Sequence, residues 1–410
     1  MKSRTLQFSG RGERLIGQEM FKVLERAKII EKSGERVYHL ELGNSCFPPP
    51  SKVIQTTIES LTKGHVGYVP SSGHPELRAA LALYYAEGGR PWITEEYFVI
   101  SPANLLINQA LDMTCNEGDA VAVFTPAFPT YFAAAEHIGL NLKTIALEKE
   151  NGYHLTKHAI DQAMAMKPKA IIINSANNPT GAVYTQESLE YLIQECERYG
   201  IWAVSDETYA ELCYRWPYWS LSSLEYSRLI VVSSFSKSYS IPGYRTGYAL
   251  AHPIVASKLS LSCSTLFSCL PCFTQEGCIA ALHMGETYLQ EVGDYYSILT
   301  EQCAGIINQS EVLTCTVPEA AFYLFIDIKN TKLSDHEFCQ RLLQEEHTAL
   351  TPGSSFGRDY GSYVRASVSG HKEEVLEGIA RLVRFGLQGK HGSARLPVHA
   401  TELSKVSHAV

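Results

Sequence analysis

From about residue 52 to residue 280 the chain alternates short apolar runs with longer stretches whose apolar positions recur at helical spacing. The runs, at 97–100, 120–124, 170–174, 202–205 and 229–233, are rich in Val and Ile. A strand covered by helices on both faces has no polar side to show, so it reads as an unbroken apolar run. Parallel neighbours also need a crossover long enough to hold a helix. The pattern therefore predicts an α/β fold, a mostly parallel sheet sandwiched by helices. The rhythm then changes. A long amphipathic helix at 286–312 is followed by a strand at 322–328, a helix at 335–346, a strand at 363–367 and a helix at 372–387, which suits a smaller α+β domain. Ahead of the repeating region come a helix at 18–33, a short strand at 37–42 and a break at Pro48-Pro49-Pro50. A chain of 410 residues is long enough for two cores. The expected division is an N-terminal arm and part of the small domain at 1–48, a large domain at 49–290 and a small C-terminal domain at 291–387. A polar, aperiodic tail at 388–410 is expected to be loosely ordered.

Charge and cysteine usage narrow the partners. With 35 basic against 43 acidic side chains the net charge is -8, and no Lys/Arg block stands out. Neither nucleic acid nor an anionic membrane surface is an expected partner. No apolar run approaches the ~18 residues of a membrane span, and the first residues lack the apolar stretch of a signal peptide. Eleven scattered cysteines, an odd number, suit reduced thiols in the cytoplasm. Cys269-Leu270-Pro271-Cys272 has C-x-x-C spacing, but the sequence near it offers neither a second pair nor two histidines. It reads as small buried hydrophobes rather than a zinc site, and no metal is expected.

Three segments directly after apolar runs carry chemistry. In Ser233-Ser234-Phe235-Ser236-Lys237, followed by Ile241-Pro242-Gly243-Tyr244-Arg245, a lysine sits at a strand end among hydroxyls and glycine. Burial there would lower its pKa and favour a Schiff base. Ser234, Ser236 and Arg245 are suited to grip a phosphate. The same segment also fits an ordinary polar loop. Asn174-Ser175-Ala176-Asn177-Asn178-Pro179-Thr180-Gly181 is a turn by composition, and Asn178 in it can donate into a site at the strand's carboxyl end, where open α/β sheets bind ligands. Val204-Ser205-Asp206-Glu207-Thr208-Tyr209 ends the next strand. Asp206 there fits the partner of a protonated ring nitrogen and equally a helix N-cap.

Taken in order, Asn-Pro-x-Gly, Asp-x-x-Tyr and Ser-x-Ser-Lys with Arg eight residues on, this set resembles the class I/II aminotransferases of fold type I, which depend on pyridoxal 5'-phosphate (PLP). The likeness runs from about residue 37 to 385. It implies that Lys237 carries the cofactor as a Schiff base and then shuttles the proton. It further implies that Asp206 keeps the pyridine nitrogen protonated, that Tyr209 and Asn178 bond the phenolic oxygen, and that Ser234, Ser236 and Arg245 take the phosphate. Ala103 and Asn104 match the backbone amides that the family offers to that phosphate at a helix start. Phe128 matches the aromatic that stacks on the ring. Tyr68 matches the tyrosine that reaches the phosphate across a homodimer interface, and Arg365 the clamp on the substrate α-carboxylate. A surface salt bridge is the other reading of Arg365. Gly43, with Asn178, falls in the substrate-binding set.

Two departures bear on the reaction. The N-terminal substrate loop reads Gly43-Asn44-Ser45-Cys46-Phe47 where many relatives have Gly-x-Pro-Asp-Phe, and the phosphate cup reads Ser101-Pro102-Ala103-Asn104, whose proline has no amide to donate. The expected activity is exchange of an amino group between an L-amino acid and a 2-oxo acid. The alternative is a PLP-dependent elimination or cyclisation, as in enzymes resembling capreomycidine synthase or 1-aminocyclopropane-1-carboxylate synthase, since fold alone does not fix the reaction. A ligand-sensing domain of a PLP-binding transcription regulator fits worse. The sheet region begins by about residue 37, leaving no room ahead of it for a DNA-binding module. The substrate side chain is not legible, and Glu13, Glu19 and Glu41, which could meet a cationic one, are expected on the surface.

Overall fold

The structure, a computed structural model, describes residues 7–215, 217–285 and 287–390, with the side chains of 389 and 390 left aside. Most of the tail expected to be loosely ordered, 391–410, lies outside the described residues. Seven strands form the main sheet: β1 (Phe98–Ser101), β2 (Ala120–Thr125), β3 (Asn141–Ala146), β4 (Ala170–Asn174), β5 (Trp202–Asp206), β6 (Leu229–Ser234) and β7 (Gly247–Ala251). Their spatial order is β1-β7-β6-β5-β4-β2-β3. All neighbours are parallel except those of β7, which runs against both β6 and β1.

Why the runs read as continuously apolar is visible in the packing. Ile171 and Ile173 of β4 join one hydrophobic cluster and Ala170 and Ile172 the cluster on the opposite face. Leu229 and Val231 of β6 divide in the same way from Ile230 and Val232. Each buried Val, Ile or Leu among these stabilises the fold by about 1.5–3 kcal/mol. The covering helices carry their own start and stop signals. Thr185 accepts a hydrogen bond from the Ser188 amide to open helix Gln186–Tyr199, and Gly200, at φ 67°, closes it in the left-handed region.

A second sheet has the order β10-β11-β9-β8, with β8 at Thr314–Cys315, β9 at Tyr323–Asp327, β10 at Thr351–Pro352 and β11 at Tyr363–Ser367, all antiparallel. It packs with helices Thr287–Asn308 and Lys372–Lys390 around a separate apolar cluster that includes Leu299, Phe322, Leu324 and Ile379. Helix Asp335–Glu346 begins where its sequence suggests, with Ser334 accepting from the Glu337 amide. The strand expected at 37–42 is shorter, a two-residue pair of Tyr38–His39 with Thr348–Ala349. Tyr97 belongs to a 3-10 turn rather than to β1. Among the described residues no helix is long and apolar enough to cross a membrane.

Candidate active site

Sheet register gathers the motifs at one edge. Asn174 pairs with Asp206, and Asp206 with Val232, so the loops after β4, β5 and β6 open side by side. Because β7 runs the other way, its first residue, Gly247, pairs with Ser234 on one side and Ser101 on the other. Arg245, just before β7, and Ala103, just after β1, therefore reach the same edge. Between this edge and the second sheet lies a cavity of about 470 Å³. That is ample for a cofactor with a small substrate. Lys237, Asp206, Asn178, Tyr209, Ser234, Ser236, Arg245, Phe128, Ala103, Asn104, Arg365 and Gly43 all line it. Tyr68 does not; its side chain is 92% exposed on this single chain.

Lys237 sits in the short helix Phe235–Ser238, and its Nζ donates to the Gly43 carbonyl at 2.8 Å. Burial, with Arg365 and Arg245 adding repulsion, lowers its pKa to about 8. Asp206 is buried. Its Oδ2 accepts from the Tyr131 hydroxyl at 2.7 Å and its Oδ1 from the Thr208 amide at 3.1 Å. Burial raises its pKa in spite of those donors, and no cationic side chain among the described residues forms an ion pair with it. A protonated ring nitrogen would supply the missing positive charge.

Arg365 stands on β11 and is 1% exposed, so it is not a surface salt bridge. One guanidinium nitrogen donates to Asn178 Oδ1 at 3.3 Å; another donates to the Glu41 carbonyl and to Thr351 Oγ1. The guanidinium lies 4.4 Å from the Tyr323 ring centroid and 5.1 Å from that of Phe356. Its Nε has no partner, and burial lowers its pKa. A buried guanidinium with a spare donor matches a planar carboxylate.

The far end of the cavity suits an anion. Helix Ala103–Thr114 opens there after Pro102 with no side-chain cap, leaving its first amides for a ligand. The proline costs nothing at this position, because it is the cap residue and the helix starts after it. The hydroxyls of Ser234 and Ser236 lie 3.0 Å apart beside it, and Arg245 adopts a left-handed backbone at φ 56°.

The sequence reading missed several residues here. Tyr131 and Thr208 fix the two oxygens of Asp206. Asn174 donates to the Asp206 carbonyl at 2.9 Å and accepts from the Asn178 amide at 2.9 Å. The Tyr323 hydroxyl meets that of Tyr209 at 2.7 Å. Gln18, Met20 and Phe21 of the N-terminal segment line the mouth. Glu41 corrects the expectation of a surface position. It is fully buried, with Oε1 2.8 Å from His39 Nδ1 and Oε2 unpartnered; its segment runs beside β11, where the Ser367 amide donates to the Leu40 carbonyl and the Glu41 carbonyl accepts from Arg365. Glu13 is exposed and Glu19 half-buried against Lys22.

A lysine, a buried carboxyl and a buried guanidinium around an anion cradle at the carboxyl edge of a mostly parallel sheet define a PLP enzyme of fold type I. The family model described as "Aminotransferase class I and II" matches residues 35–382, and the chain belongs to that family. An aspartate aminotransferase from Thermotoga maritima is 30% identical over 364 residues, covering 88% of this chain and 94% of the relative. One from Musicola paradisiaca is 27% identical over 372 residues, covering 89% and 93%. The solved structure of aspartate aminotransferase from Thermotoga maritima superposes with a TM-score of 0.84 at 29% identity, covering 92% of this chain and 99% of that one. The cofactor of such enzymes is PLP, and the cavity fits it at three points: the carboxyl that lacks a cation, the uncapped helix start and the lysine held at the wall.

Proposed function

We propose that this chain is an aminotransferase that moves the amino group of an L-amino acid to a 2-oxo acid, with PLP carried by Lys237. The observation behind this reading is the convergence of the Lys237 amine, the Asp206 carboxyl and the Arg365 guanidinium on one cavity. When bound, PLP supplies an electron sink that eases bond breaking at the substrate Cα. Asp206 holds a proton at the ring nitrogen while Tyr131 and Thr208 keep its oxygens in place. Lys237, with its lowered pKa, is the base that takes and returns the Cα proton. Arg365 orients the α-carboxylate through its free Nε edge. Asn178 spends its Oδ1 on Arg365, which leaves its amide hydrogens, beside the Tyr209 hydroxyl, for the phenolic oxygen. Phe128, which lines the cavity, would cover the ring. Ser234, Ser236, Arg245 and the amides of Ala103 and Asn104 would hold the phosphate. Gly43 must be glycine, because a Cβ would collide with the Tyr323 hydroxyl, and its carbonyl steers the lysine.

The reading includes a homodimer in which Tyr68 serves the neighbouring site, and a cytoplasmic location, supported by eleven unpaired cysteines. The names of the relatives support an amino-acid substrate. The test is steady-state turnover with a panel of L-amino acids, with and without an added 2-oxo acid. Product formation in strict proportion to oxo acid is expected. Release of an elimination or cyclisation product from the amino acid alone would overturn the reading in favour of a lyase or cyclase.

A further inference from the structure

We propose that His74, Cys272 and Glu276 form a binding site for a divalent transition-metal ion of the zinc type, separate from the cofactor cavity. Cys272 and Glu276 stand one turn apart on helix Cys272–Leu282, and the thiol meets Glu276 Oε1 at 3.2 Å. His74 caps helix Pro75–Glu87. Its Nδ1 accepts from the Glu76 amide at 3.3 Å, which leaves Nε2 as the ligand atom. Its own amide donates to Gln275 Oε1 at 2.7 Å, fastening it to the helix that carries the other two ligands.

The three ligand atoms lie within 4.8 Å of one another. Tetrahedral zinc, with bonds of about 2.0–2.3 Å, holds its ligand atoms roughly 3.3–3.8 Å apart, so small side-chain shifts complete the site. His65 Nδ1 lies 2.9 Å from Glu276 Oε1 and steadies the carboxylate from outside the ligand set. The hydroxyl of Ser60, buried to 1% exposure, sits against the same carboxylate without a well-directed hydrogen bond.

Sulfur, imidazole and a single carboxylate select zinc-like ions over magnesium or calcium. A divalent ion takes the place of the Cys272 thiol proton, which leaves to solvent, and the metal–sulfur and metal–oxygen bonds replace the S–H···O contact to Glu276. Water fills the fourth position.

The sequence hid this site, because its C-x-x-C had no histidine pair nearby in the chain. The fold brings His65 and His74 to Cys272 from some two hundred positions away. The ion would clip the segment 65–74, which carries Tyr68, to helix Cys272–Leu282.

The test uses the PLP-loaded enzyme, stripped with a chelator and titrated with cobalt(II) chloride. One cobalt per chain is expected, with the intense d–d bands of a tetrahedral thiolate site, at longer wavelength than the cofactor bands and erased by one equivalent of zinc. Cys272→Ser and His74→Asn should each weaken binding roughly tenfold or more. The asparagine keeps an acceptor for the Glu76 amide, and an unchanged cofactor spectrum in both variants certifies the fold. Failure of the folded wild-type enzyme to take up one cobalt, or equal uptake by both variants, would overturn the proposal.

Discussion

At the scale of single residues, the cavity is lined by groups that are costly to bury without a ligand. The Tyr131 hydroxyl donates to the buried Asp206 carboxyl at 2.7 Å. A hydrogen bond to a charged group contributes about 1.5–3 kcal/mol. Tyr131→Phe is therefore expected to keep its cofactor but lose roughly ten- to a hundred-fold in kcat, measured by steady-state kinetics on cofactor-saturated enzyme. Lys237 gives a pH-dependent expectation. The folded apoenzyme sheds the lysine proton near pH 8, while the unfolded chain holds it to about 10.5. Between those values the unfolded state binds more protons, so the lysine's contribution to stability rises with pH across that window. Apo Lys237→Met, which buries no amine, should be more stable than apo wild type at neutral pH, by on the order of 3 kcal/mol. The difference should vanish by about pH 10.5, as read by denaturant melts. A constant difference across that range would remove the lowered pKa from the argument.

The residues proposed for catalysis, which line one cavity, were legible in the sequence because each lies at or just after the end of an apolar run, and in a parallel sheet every such end faces one edge. Their supports were not. Tyr131 reads as one more apolar residue of helix Pro129–Ile138; only burial beside Asp206 makes its hydroxyl informative. Glu41 looked like a surface acid because nothing in its neighbourhood announces that the segment packs beside β11.

At the scale of elements, the contrast lies in strand type. The Val/Ile runs of β2, β4, β5 and β6 were readable. Two members of the sheet were not. Asn141–Ala146 is an edge strand with largely solvent-facing side chains, and Gly247–Ala251, Gly-Tyr-Ala-Leu-Ala, lacks β-branched residues and runs antiparallel. The latter matters to function. At Gly247 a Cβ would stand 2.6 Å from the Ser233 carbonyl and 3.1 Å from the Ala103 amide. Gly247 thus lets the lysine loop and the helix start proposed to hold the phosphate approach each other. Gly247→Ala is expected to lower PLP affinity at least several-fold, seen by fluorescence titration of the apoenzyme, with a smaller change in melting temperature. Unchanged affinity would mean that the helix start does not hold the phosphate.

At the scale of the molecule, we propose that the chain divides near residue 290; most of the apolar cluster around the second sheet comes from residue 292 onward, although Leu40, Ala176, Val183, Tyr209 and Leu212 join it and Phe325, Phe356 and Tyr360 pack with the main sheet. We also propose that Tyr68, fully outward on one chain, completes the site of a second copy. Sedimentation at micromolar concentration should then give a dimer, and Tyr68→Phe should remain dimeric while releasing PLP more readily. An active monomer would contradict this. The sequence implied the dimer only by resemblance, since an interface leaves no periodicity of its own.

The most direct measurement is a single-turnover spectrum of the PLP-loaded enzyme mixed with L-amino acids and no oxo acid. The cofactor's visible band should convert, stoichiometrically and stably, to that of the pyridoxamine form with at least one donor, and return on adding a 2-oxo acid. If every amino acid that reacts leaves the original band restored without an acceptor, amino-group transfer is not what this site does.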